Sequence, residues 1–116
     1  MTFTKLPLSA SSYGQQILIS ATTSASANPI HTSVAGTSAM DEIWLYAYND
    51  STASVVCSIL WGGTMDLGNV NRVPLQGQAG RTLIVDGKLL QNGLTVYAYA
   101  SSSNWVSLDG FINRIQ

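Results

Sequence analysis

The stretch DEIWLYAYND (41–50) decides the fold. Ile43, Leu45 and Ala47 alternate with Trp44, Tyr46 and Tyr48, and a period of two is that of a β-strand. TVYAYAS (95–101) repeats the YAY core, with Leu94, Val96, Ala98 and Ala100 on one side and Tyr97 and Tyr99 on the other. Between them, Val55, Cys57, Ile59 and Trp61 alternate with Ser54, Val56, Ser58 and Leu60. The aliphatic sides suit the facing surfaces of two packed sheets, with Ala47, Ala98 and Cys57 permitting close approach.

Working outward, no window of helical length carries apolar residues at spacings of three and four. Short Ile-, Val-, Tyr- and Trp-rich runs recur between turn residues instead. They predict strands at 15–22, 30–34, 42–48, 54–61, 72–75, 81–85, 94–100 and 105–115. The last is expected to break at a turn or bulge at Asp109-Gly110. Asn49-Asp50-Ser51, Trp61-Gly62-Gly63, the Gly77 to Gly80 segment, Asp86-Gly87 and Asn92-Gly93 supply the turns. The low-complexity stretch 20–28 reads as one surface loop. The expected fold is all-β: a single antiparallel β-sandwich domain over 1–116, jelly-roll-like or immunoglobulin-like, of seven to nine short strands. Residues 1–12 form a possible extended N-terminal arm or a frayed terminus.

The outer faces then carry the rings. If the two YAY strands pair, Trp44, Tyr46, Tyr48, Tyr97 and Tyr99 form one aromatic patch suited to a protein partner or a sugar. The competing reading makes the tyrosine side the core, with its hydroxyls at the rim.

Composition points the same way. Charged residues make up 9% of the chain, against about 25% in ordinary domains. Ser and Thr supply 25 of 116 residues, and the net charge is −1. Copies of such a surface repel each other weakly, which suits a chain that sits among neighbours. The plainer alternative is a secreted or periplasmic monomer. Lys5, Arg72, Arg81, Lys88 and Arg114 are scattered singly, so no nucleic-acid partner is expected. No secretory signal and no membrane span are visible, and a lone Cys57 allows no internal disulfide.

Chemistry is sparse. His31 is the only histidine, which argues against a zinc site built on several. Cys57 reads as a small buried hydrophobe. No elbow motif supports a Ser-His-Asp arrangement through His31. Asp41 and Glu42 are the only adjacent pair among Asp41, Glu42, Asp50, Asp66, Asp86 and Asp109, and neighbours in a strand face opposite ways. No catalytic, cofactor-binding or metal-binding residue is assigned, no cofactor is expected, and the chain reads as a non-enzyme. Trp61 before Gly62-Gly63-Thr64 reads first as a plug at the sandwich edge and second as a ligand-facing ring.

DEIWLYAYNDSTASVVCSILWGGT (41–64) together with NGLTVYAYASSSNWVSLDGFINRI (92–115) resembles small β-sandwich structural proteins of tailed bacteriophages. The likeness lies in an aromatic strand ending at Asn49 to Ser51, a strand ending in the turn at Trp61 to Gly63, and a closing strand from Gly110 to Ile115. The resemblance implies a virion structural protein. The form expected is a capsid decoration (cement) protein that binds the major capsid protein, stabilises the shell and is assembled in the host cytoplasm onto the capsid surface. It also implies a homotrimer at local threefold positions of the shell, with the N-terminal stretch as a grip. The alternatives are a neck or tail structural protein, or a lectin-like module of a fibre or spike that stacks sugars on Trp44, Trp61, Trp105 or the tyrosines. A small hydrolase using His31 is a third.

Overall fold

The alternation in 41–50 becomes β4 (Met40–Asn49) of a computed structural model that describes residues 2–64 and 68–116. Met1 of the expected arm and the carboxylate Asp66 lie outside the described residues. The other strands are β1 (Phe3–Pro7), β2 (Ile17–Ile19), β3 (Asn28–Thr32), β5 (Val55–Trp61), β6 (Val70–Leu75), β7 (Thr82–Leu90), β8 (Thr95–Ala100) and β9 (Val106–Ile115). One 3-10 turn, Ser24–Ser26, interrupts the strands.

The strands form two antiparallel sheets packed face to face. One runs β1-β9-β4-β7, with β2 also on β9, and the other runs β3-β8-β5-β6. The pairing is nested: β5 with β6, β4 with β7, β3 with β8 and β2 with β9. The chain is thus one long hairpin rolled up on itself, which is the jelly roll rather than the immunoglobulin arrangement.

The aliphatic sides face inward as expected. Ile43, Leu45 and Ala47 of β4 pack in one cluster with Val55, Cys57 and Ile59 of β5 and Val96, Ala98 and Ala100 of β8, all buried. Burial of a full aliphatic side chain contributes about 1.5–3 kcal/mol. Trp44, Tyr46, Tyr48, Tyr97 and Tyr99 point outward, half-buried.

The expected meeting of the two YAY strands does not occur. β4 and β8 belong to opposite sheets, so their tyrosines lie on opposite outer faces. Alternation fixes which side of a strand is buried, but it carries nothing about which strand lies next to it.

Two turn signals also prove to be something else. Asp86-Gly87 does not reverse the chain: β7 runs through it, and the register against β4 slips between Ile43 and Trp44. Gly87 is the extra residue of a bulge. It sits under the Trp44 indole, where a Cβ would come within 3.0 Å of the ring. Asp109-Gly110 does not break β9 either, whose register against β4 is continuous. It marks the point where the opposite neighbour of β9 changes. β1 pairs with Phe111 to Ile115, and β2 pairs with Val106 to Leu108.

Within the stretch expected as an arm, Phe3–Pro7 forms this edge strand, and Thr2 and Gln116 exchange backbone hydrogen bonds beside it. Asn28-Pro29 opens β3 rather than preceding it. β3 is a sheet edge with a register shift after Pro29, a setting that tolerates the missing N–H.

Gly110 lies opposite Leu45, where a Cβ would overlap the carbonyl oxygen of Trp44. Gly110→Ala is expected to lower unfolding stability by about 2–3 kcal/mol in urea titration. Gly63→Ala, with open space around it, should stay within about 0.5 kcal/mol of the parent.

Candidate functional site

The parity that buries Ile43, Leu45 and Ala47 also turns Asp41 and Asn49 inward, one at each end of the β4 inner face. Asp41 is 0% exposed and carries four hydrogen bonds. Arg114, its cross-strand partner on β9, donates from Nε to Oδ1 at 2.8 Å and from a terminal nitrogen to Oδ2 at 3.1 Å. The backbone N–H of Val34 donates to Oδ2 at 3.1 Å. His31, from β3 in the other sheet, meets Oδ2 through Nε2 at 2.8 Å. Its Nδ1 accepts from the backbone N–H of Ser9 at 3.0 Å, so Nε2 carries the proton and donates.

Burial is the largest influence on the Asp41 carboxyl and pushes it upward. The hydrogen bonds of Arg114 and His31 and the charge of Arg114 outweigh it and hold the group below its usual carboxylate value. Both ring nitrogens of His31 are engaged and the ring is buried, so no nitrogen is free to take a proton from a serine. At the other end, Asn49 donates to the carbonyls of Ala53 and of Leu75 on β6, and accepts from Ser51 N–H. Each end of the sandwich is therefore closed by a polar side chain that joins the two sheets.

The remaining chemistry-bearing groups are quiet. Cys57 is fully buried in the core, and burial pushes its thiol up to about 12. Among the described residues, no three His, Cys, Asp or Glu side chains stand together as a metal site. Glu42 faces outward and accepts from Trp44 Nε1 at 2.9 Å and from Asn113 at 3.0 Å, which lowers its pKa.

On the outer faces, cations cover rings. Trp44 stacks on Phe111, and the Lys5 ammonium lies 4.8 Å from the Phe111 centroid. Arg81 lies 3.6 Å over Tyr46, and Lys88 lies 4.6 Å over Trp61. Trp61 also packs against the core and donates to the Leu89 carbonyl at 3.4 Å, so it is the edge plug expected of it.

Trp105 differs. It is 48% exposed and walls a cleft of about 530 Å³ at the end of the sandwich. Four segments meet there: the start of β9, the end of β4 with Tyr48 and Asp50, the start of β2 with Gln16 and Leu18, and the β6–β7 connection with Gln78. Tyr48 donates its hydroxyl to Asp109 at 3.1 and 3.2 Å. Burial first, and Asp109 second, raise its pKa, so it remains a neutral donor. Of the three tryptophans, Trp105 is the most open. Gln16, Gln78 and Asn104 beside it had no signal, because amides in predicted turns and strand ends look like ordinary surface.

Comparison with known protein families, with curated proteins and with solved structures found no significant match to this chain.

Removing the buried carboxylate should be costly. Asp41→Asn is expected to destabilise the fold by about 3 kcal/mol near neutral pH, because it leaves Arg114 facing an uncharged partner. The folded-state pKa of Asp41 is depressed, so its stabilisation is complete above the unfolded value and is lost as pH falls through the folded one. Urea titrations from neutral pH down to below pH ~3.9 should show the gap between parent and variant shrinking in acid.

Proposed function

We propose that this chain is a structural protein of a tailed-bacteriophage particle, a capsid decoration protein that binds the major capsid protein as a cyclic homotrimer. The sequence resemblance supports this reading, and so does the low charge. Charged residues make up 9% of the chain and the net charge is −1, which leaves little to repel neighbouring copies.

The observation that carries the oligomer is the pair of unlike apolar edges on one sheet. β1 presents Phe3, 65% exposed, at one edge. β7 presents Leu83 and Leu89, 47% and 49% exposed, at the other. Both strands are sheet edges, and an edge carrying exposed large apolar side chains invites association. A ring closes when one patch of each copy meets a different patch of the next. The bulge at Gly87 and the charge of Lys88 interrupt β7 as a template for continuous strand addition, so side-chain contact rather than an endless shared sheet joins the copies.

Light scattering on the purified protein is expected to give a trimer that becomes a monomer in a Leu83→Glu/Leu89→Glu double variant. Mass spectrometry of purified particles from the phage or prophage that encodes the chain should find it in stoichiometric amounts with the major capsid protein. Its absence from those particles overturns the proposal.

A further inference from the structure

We propose that the cleft beside Trp105 is a binding site for a neutral oligosaccharide. The proposal stands on the cleft alone and does not depend on the assembly role.

The shape comes first. The cleft of about 530 Å³ lies within the range of small-ligand sites. A second cleft of about 250 Å³ shares Asp50 and Trp105 with it and continues along Ser51 to Val55. Trp105 thus belongs to both, as the shared wall of one longer groove. A chain of sugar units fits such a groove better than a single compact ligand does.

The backbone is held ready for it. Asp50 N–H donates to the Trp105 carbonyl at 2.9 Å, Gln78 N–H to the Asn49 carbonyl at 2.9 Å, and Asn104 N–H to the Ile19 carbonyl at 3.0 Å. These bonds tie together the separate segments that form the walls, so little ordering remains to be done on binding. Gln78 and Asn104 both sit in the left-handed region, at φ +54° and +67°. Asn adopts this conformation readily, whereas Gln does so at a cost that the fold around Gln78 must meet.

The lining chemistry selects the ligand. A pyranose has one face of polarised C–H bonds, which stacks on the electron-rich face of an indole such as Trp105. Its rim of hydroxyls both donates and accepts. The amides of Gln16, Gln78 and Asn104 do both as well, and the Asp50 carboxylate accepts pairs of hydroxyls. No lysine or arginine lines the cleft, and its one carboxylate disfavours an anion. A neutral saccharide satisfies all of these groups together.

The test follows the indole N–H signals of the three tryptophans by NMR. The intact protein is titrated with cellotetraose, maltotetraose, chitotetraose and, as a charged comparison, tetragalacturonate. At least one neutral probe is expected to shift the Trp105 signal saturably while those of Trp44 and Trp61 hold still, and tetragalacturonate should not. Trp105→Ala should weaken binding roughly tenfold or more. Gln16→Ala, at an exposed position that leaves the core untouched, should weaken it by at least about threefold. The proposal fails if no neutral probe moves the Trp105 signal, if tetragalacturonate binds as well as the neutral probes, or if both variants bind like the parent.

Discussion

A single buried carboxylate holds the two sheets in their relative positions. Asp41 stands on β4 and hydrogen-bonds both His31 of β3 in the other sheet and Arg114 of β9 in its own. An unpaired carboxylate in such a place costs several kcal/mol, so this one is tolerated because four donors surround it. The same need constrains its surroundings. Arg114 must come in from the inner face of β9, His31 must keep its proton on Nε2, and the Ser9 N–H must supply the other ring nitrogen. Slide either sheet by one strand position and the donors no longer converge. Hydrophobic contacts alone, being non-directional, set no such register.

With the ends closed by Asp41 and Asn49, the outer faces are free to be unusual. They carry large rings, yet several of those rings are not bare: a cation lies over some, and Tyr48 is tethered to Asp109. This arrangement engages four of the five cations. It leaves an exterior of hydroxyls, amides and capped rings, broken at the sheet edges by single apolar side chains and at one end by the open indole of Trp105.

Much of the fold could be read from local pattern. Ile43, Leu45, Ala47, Val96, Ala98 and Ala100 announce their burial by alternation, and the same parity applied to Asp41 and Asn49 already turns them inward. That second signal is easy to overlook, because polar residues at the ends of apolar runs usually mark the way out to solvent. What local pattern lacks is adjacency. Nothing in TVYAYAS states that its neighbours are β3 and β5 rather than β4. Asp86-Gly87 carries the chemistry of a turn whether the chain reverses there or bulges under Trp44. The cleft was the least legible feature. Trp105 stood out as a possible platform, but Gln16, Gln78 and Asn104 come from distant parts of the chain and meet only once the hairpin has rolled up.

The nested pairing has a consequence for how the molecule is made. β5 and β6 are joined by a short connection, whereas Ile17 must find Leu108 across most of the chain. Closing a small loop loses less entropy than closing a large one, so order spreads from the central hairpin outward and the β2–β9 contact is completed late. Trp105 and Gln16 belong to those last-joined segments. On loop-closure grounds the groove is expected to be completed late in a nascent chain, after the strands that frame it have paired.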